Sequence, residues 1–252
     1  MEHLQKIAVL IDADNTQLSK LEAMLREIST YGRIVVKRAY GNWKKDVLKR
    51  WEDELKRLAI KAEQQFDYVV GKNATDMALV ISAVDLLHTG VYDAFVLVSS
   101  DSDYTPLAIR LHESGVYVIG VGENKTPEAF RNSCDDFIFL ENLSGSAAKA
   151  KEALEYPALS FVSQETKETG QPLANIDEIH DLLSLACEKY QDADGFAYVS
   201  SAGDFIKRAK PDFDSRSYGY AKLTDLLAAY PKRYKMKRSP GKGTTIAYKC
   251  IS

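Results

Sequence analysis

From Lys6 to Leu140 short, β-rich apolar runs alternate with stretches of helical period. The runs predict strands over 6–12, 33–40, 66–70, 93–99, 116–121 and 136–140, with helices near 16–29, 44–62, 75–88, 103–113 and 126–132. Alternation of this kind implies βαβ units and a mainly parallel sheet flanked by helices, an α/β fold. Ala94 to Val98 is almost wholly apolar, as expected of a strand covered on both faces. Thr126-Pro127-Glu128 reads as a helix start, with a capping hydroxyl, a proline in first position and an acid in the first turn. The helix running to His88 can be capped by Asn73 or Thr75, and Met77, Val80, Ile81, Val84 and Leu87 are its expected buried stripe.

The pattern changes after residue 140. Residues 143–172 lose strand signals and gather Ser, Ala, Lys, Glu and Gly, which predicts a linker, with helix near Ala147–Leu154. Residues 1–142 and 173–252 are then separate domains. In the second, Ile176–Lys189 is amphipathic, with Ile179, Leu182, Leu183, Ala186 and Cys187 on one face. Gly195–Val199 is extended, Ser201–Ala209 and Tyr220–Ala229 are helical, and Tyr234–Arg238 with Thr244–Lys249 reads as a hairpin around Gly241 and Gly243. Helices followed by a basic hairpin predict a small winged helix-turn-helix domain.

Charge sharpens the division. Residues 1–140 carry 17 Lys and Arg against 21 Asp and Glu, whereas from Gly195 onward the count is 12 against 4. Lys232, Arg233, Lys235, Lys237, Arg238 and Lys242 fall in eleven residues without an acid. Such a wing can contact phosphates or simply be solvated; in the first case its affinity falls steeply with salt. Three scattered cysteines suit a reducing compartment better than a disulfide framework. Neither they nor the four histidines have zinc-ligand spacing. No membrane span or signal-peptide pattern is evident, so a cytoplasmic location is expected.

Candidate chemistry lies where strands end. Ile7–Ile11 runs into Asp12-Ala-Asp14-Asn15-Thr16, and Val96–Val98 into Ser99-Ser100-Asp101-Ser-Asp103-Tyr104. In open α/β sheets the ligand crevice lies outside the carboxyl ends of strands where strand order reverses. Asp76, in the first turn of its helix, can point at the same crevice. Asp12, Asp76, Asp101 and Asp103 thus come from three elements, and clustered carboxylates are costly unless a hard cation neutralises them. Mg²⁺ or Mn²⁺ is the expected cofactor, able to activate water for phosphodiester hydrolysis. Asn15, Ser99 and Ser100 are expected to orient carboxylates or waters, and Lys72 is either a phosphate contact or a solvated loop charge. Each acid also has a plainer use: Asp12 and Asp14 as caps, Asp76 and Asp103 as ordinary first-turn charges.

Ile7–Asp12 with Asn15, Gly71-Lys-Asn-Ala-Thr-Asp76, Leu97-Val-Ser-Ser-Asp101-Ser-Asp103-Tyr and Lys125-Thr-Pro-Glu-Ala-Phe130 together resemble the NYN (LabA-like) domain of the PIN-like nucleases. Asp194-Gly-Phe196, Pro211-Asp-Phe-Asp214, Tyr218-Gly-Tyr220, Lys222-Leu223 and Leu226-Leu227 resemble the OST-HTH/LOTUS domain. The first resemblance implies a metal-dependent ribonuclease, with Asp12, Asp76 and Asp101 at the metal-binding positions, Asp103 supporting and Asn15 as the usual polar follower. The second implies RNA binding or, in some members, protein docking. It puts Arg216, Tyr218, Tyr220 and Lys222 near RNA, beside the wing residues Lys235, Lys237, Arg238 and Lys242; the tyrosines can stack on bases or belong to the core. A homodimer is also open, since small PIN-like domains often pair. One departure stands out: related chains commonly carry Asp where this one has Ser82. Two other readings compete. Asp12-x-Asp14-x-Thr16 fits the phosphatase signature of the haloacid dehalogenases, with Asp12 as nucleophile, although no lysine stands between Lys72 and Asp101. A non-catalytic RNA- or protein-binding platform would leave the acids apart.

Overall fold

A computed structural model describes residues 4–66, 73–144, 176–239 and 245–251. The chain divides into two compact units, the first ending at Ser144. Its six strands are β1 (Leu4–Asp12), β2 (Gly32–Gly41), β3 (Lys61–Gln64), β4 (Ala94–Val98), β5 (Tyr117–Gly122) and β6 (Asp136–Phe139). They form one sheet in the order β3-β2-β1-β4-β5-β6, with every pairing parallel. The chain builds outward from β1 to β3, then restarts on the other side of β1 with β4. The order therefore reverses between β1 and β4, and the crevice of such a sheet opens there.

Helices cover both faces, which is why the central strands are apolar throughout. On one side α1 (Leu21–Ile28) and α2 (Trp51–Arg57) bury Leu21, Met24, Ile28, Trp51 and Leu55 against Val9, Ile11, Val96 and Val121. On the other, α3 (Ala74–His88), α4 (Thr105–Glu113) and α5 (Glu128–Asn132) bury Leu79, Ala83, Leu86, Leu107, Leu111 and Phe130 against Leu10, Phe95, Leu97 and Phe137. This is the α/β arrangement that the pattern predicts, in the PIN-like form that the resemblance implies.

The second unit holds α6 (Ile176–Tyr190), β7 (Ala197–Tyr198), α7 (Val199–Ala209), α8 (Leu223–Ala229), β8 (Tyr234–Ser239) and β9 (Thr245–Cys250). Its antiparallel sheet runs β7-β9-β8, and its core joins Ile179, Leu183, Ile206, Leu226, Leu227 and Tyr248. Three helices and a two-stranded wing make it a winged helix.

Four local expectations are corrected. The third strand is Lys61–Gln64, overlapping the end of the segment expected to be helical (44–62); it is a polar edge strand, paired among the described residues only to β2. The expected strand at 66–70 falls, beyond Phe66, outside the described residues, as do Gly71, Lys72, residues 145–172 of the expected linker with its helix near Ala147–Leu154, and Lys242 at the hairpin tip. The face of α3 is turned: Thr75, Leu79, Ala83 and Leu86 are buried, while Met77 and Ile81 are 56% and 57% exposed. Neither Asn73 nor Thr75 caps that helix. Thr126 does not cap α5 either; Pro127 occupies the cap, and the Thr126 hydroxyl is buried without a hydrogen-bond partner among the described residues.

Candidate active site

Asp12 is the last residue of β1, and Ser99, Ser100 and Asp101 follow directly on β4. The Asp12 carboxylate is fully buried. It is held there by donors rather than by a counter-charge. Oδ1 accepts from the backbone N–H of Asp14 (3.1 Å) and Asn15 (3.3 Å), while Oδ2 accepts from Asn15 Nδ2 (2.8 Å) and Ser99 Oγ (3.0 Å). Burial still pushes its proton affinity above the ordinary range. The Asn15 and Ser99 hydrogen bonds oppose that rise, and the charges of Asp76 and Asp14 add to it.

Asp76 stands in the first turn of α3. Its Oδ1 accepts from the hydroxyl of buried Tyr104 at 2.7 Å. Burial raises its proton affinity first; Tyr104 lowers it, and the charges of Asp101, Asp103 and Asp14 raise it again. Asp76 is therefore the acid on which the charges of Asp101, Asp103 and Asp14 converge. Tyr104 is itself held firmly protonated by burial and by Asp12 and Asp76.

Asp101 and Asp103 carry the plainer roles weighed for them as well. Asp101 caps the short 3-10 turn Ser102–Tyr104 by accepting from Asp103 N at 2.9 Å, and its own N–H donates to Ser99 Oγ at 3.1 Å. Asp103 accepts from Asn73 Nδ2 at 2.9 Å. Ser100 turns away from the acids and accepts from Glu123 N at 2.9 Å. Asp14, read from the sequence only as a cap or as part of the phosphatase signature, lies in the same crevice, between Thr75 Oγ1 (3.1 Å) and Lys45 Nζ (3.5 Å). Beside it a cavity of ≈ 540 Å³ is lined by Asp14, Asn15, Ser100, Asp101, Glu123 and Lys125 among others. Lys125 is paired to Glu123 at 2.7 Å.

Ser82 stands apart from the acids. It accepts from Arg38 Nη1 (2.8 Å) and Tyr40 OH (2.6 Å), one helical turn and a half beyond Asp76. Ser82 thus ties α3 to β2.

The donor set suits a hard divalent cation: oxygen ligands only, charges that repel one another, and no cation among the described partners of Asp12 or Asp76. Among the described residues, however, no three Asp, Glu, His or Cys side chains stand close enough to hold a metal as a closed cage. Mg²⁺ characteristically uses one or two carboxylates and keeps waters for a phosphate, so an open carboxylate pair meets its demands where a zinc or calcium cage would not.

The stored repulsion predicts a stability effect. A carboxyl whose folded proton affinity is raised stabilises the fold when protonated, and that contribution is lost as pH rises through its folded pKa. Asp76→Asn is expected to raise Tm at pH 7 in EDTA by a few degrees, the gap closing as pH falls toward 4 and wild-type Asp76 gains its proton. Thermal melts across pH check this; an unchanged or lower Tm at pH 7 counts against it.

In the second unit the predicted RNA residues divide. Tyr218 is buried against Phe213, ring centroids 5.9 Å apart, and belongs to the core. Arg216 closes on Asp214, Nη2 to Oδ2 2.7 Å; burial raises that carboxyl, but Arg216 outweighs it and holds it below its usual range. Tyr220 is half-buried on the core, with its hydroxyl against Tyr230. Lys237 lies between Asp192 and Asp194, 3.4 Å from each, and 4.0 Å from the Phe196 ring centre. Lys222, Lys235 and Arg238 are exposed and form no ion pair with a described residue.

Residues 6–141 match the family model of the NYN domain, and residues 174–246 that of the OST-HTH/LOTUS domain. No curated protein matches the chain. A crystal structure of a protein of unknown function from Vibrio parahaemolyticus is similar at 17% identity and TM-score 0.46, covering 55% of this chain and 94% of that one. A solution structure of an uncharacterized protein from Nitrosomonas europaea is similar at 28% identity and TM-score 0.27, covering 39% and 89%. Both scores are too low to carry a shared fold.

Proposed function

The chain belongs to the NYN family, a nuclease-type domain here joined to an OST-HTH/LOTUS RNA-binding domain, and on that premise we propose that it is a metal-dependent ribonuclease. The observation that carries the reading is the position of Asp76: an acid raised first by burial and then by Asp101, Asp103 and Asp14, facing the end of β1 where Asp12 is buried. A divalent Mg²⁺ or Mn²⁺ ion would be held by one or two carboxylates drawn from Asp12, Asp76 and Asp101, with Asp103 beside them, and would supply an activated water and charge neutralisation at the phosphate. The chain's own residues do the rest. Asn15 and Ser99 fix Asp12, Tyr104 fixes Asp76, and the turn capped by Asp101 sets Asp103. The rear domain would add affinity for RNA through its uncompensated cations.

The phosphatase reading is not favoured. A nucleophilic Asp12 would need a free oxygen facing substrate, whereas both its oxygens accept hydrogen bonds in a buried site. The non-catalytic platform keeps one observation in its favour, the lack of a closed three-carboxylate cage among the described residues.

Incubating labelled RNA with the full chain and with a chain ending at residue 172, in Mn²⁺, Mg²⁺ or EDTA, tests the proposal. Metal-dependent cleavage by both chains, with weaker and less salt-sensitive binding by the short one, is expected. Tight binding without cleavage in any metal would leave the platform, and equal affinity and salt dependence would make the rear domain a protein-docking module. No helix among the described residues is long and apolar enough to cross a membrane.

A further inference from the structure

The geometry points to the outer face of the wing sheet, not the segment before α8, as the surface that takes unpaired RNA. This rests on the RNA-directed reading above and deepens it. In the sheet Ala197, Met236 and Tyr248 share a row and turn inward, so their neighbours turn outward. One outward row sets Tyr198 and Lys237 on either side of Ala247, which is itself buried; the next, roughly 7 Å along the strands, sets Lys249 directly opposite Lys235.

Tyr198 is 44% exposed and makes no hydrogen bond or ring contact with a described residue. An aromatic ring left open on a sheet face is a stacking platform for a base, and it is tolerant of sequence. The cations beside it are unequal. Lys237 is neutralised by Asp192 and Asp194 and packs on Phe196. Lys249 donates to the Asp194 carbonyl at 3.1 Å and lies 6.0 Å from the Phe196 ring centre, while Lys235 is exposed without an ion pair among the described residues. Like charges directly opposite on a sheet repel. A phosphate lying between Lys235 and Lys249 relieves that repulsion, which gives the face its preference for a polyanion over a neutral protein surface. The segment before α8 offers less, because Tyr218 is core and Arg216 is closed on Asp214.

The test measures binding of a fluorescent, unstructured oligouridylate to the full chain in EDTA, by anisotropy at several salt concentrations. Tyr198→Ala is expected to weaken binding about ten-fold and Tyr198→Phe to restore it. Lys235→Gln with Lys249→Gln should reduce the slope of log affinity against log salt by about 1.4. Melting curves for each variant show whether the domain still folds; Tyr198→Phe and the exposed lysines keep the test open if Tyr198→Ala does not. Variants that bind within two-fold of wild type and keep the full slope overturn the assignment, and loss confined to Lys222→Gln would move the site to α8. A wild-type chain that binds no RNA overturns the RNA-directed reading itself.

Discussion

Replacing Asp12 and Asp101 together by asparagine is expected to lower metal-dependent RNA cleavage by about 10³-fold or more, roughly 4 kcal/mol of barrier, with RNA affinity in EDTA within two-fold of wild type. The size follows from what each residue does. Asp12 is the buried carboxyl at the end of the central strand, its proton affinity raised by burial and opposed by the Asn15 and Ser99 hydrogen bonds. Asparagine has the same shape and keeps an oxygen toward the Asp14 and Asn15 N–H groups, provided the Asn15 amide turns to accept from the new Nδ2. Asp101 places the turn on which Asp103 and Tyr104 sit. Asparagine keeps a capping oxygen there and removes only the charge. The double variant should therefore fold and should bind RNA through the rear domain. Single-turnover cleavage in Mn²⁺, with a melt of the same sample, decides the matter. A rate within ten-fold of wild type would mean that the reaction does not run through these carboxylates.

How far this arrangement could be read from the residues depended on how completely each element is buried. β4 and the inner half of β1 are enclosed between two helical layers, so their composition alone reveals them, and the acids that end them mark the crevice. β3 is the opposite case: Lys61-Ala-Glu-Gln64 lies at the edge of the sheet, one face in water, and carries no apolar signal. α3 misled for the contrary reason. It is apolar on nearly every side, so periodicity could not tell its inner face from the side that shows Met77 and Ile81. In the site, Asp12, Asp76, Asp101 and Asp103 were legible as acids at element ends. Tyr104 was visible beside two of them, yet its hydrogen bond to Asp76 depends on how the 3-10 turn aims its ring. The Lys45–Asp14 contact, between residues 31 apart, has no local signature at all. The wing shows the same limit: Lys235 and Lys237 look alike in sequence, and only their surroundings separate an uncompensated cation from one closed between two aspartates.

Gly122→Val is expected to cut cleavage about 10²-fold and to destabilise the protein by about 2 kcal/mol, although residue 122 is neither an acid nor a ligand. Gly122 ends β5, paired with Phe139 of β6. A Cβ there would meet Thr126 Oγ1 at 2.5 Å and the backbone oxygen of Ser99 at 2.8 Å. The threonine hydroxyl could swing aside, but the carbonyl cannot move alone. It belongs to the residue whose N–H is fixed to Val121 O at 3.0 Å and whose hydroxyl donates to Asp12 and accepts from Asp101 N. Displacing Ser99 by part of an ångström therefore shifts Asp12 and Asp101 relative to each other, and misplacement on that scale costs rate more than stability. Combining Gly122→Ala with Thr126→Ala separates the two contacts, because it removes the hydroxyl and leaves the carbonyl. Cleavage that stays low in that pair, with a melt near wild type, places the effect at Ser99. Full recovery would place it at Thr126 and break the link drawn here between β5 and the acids.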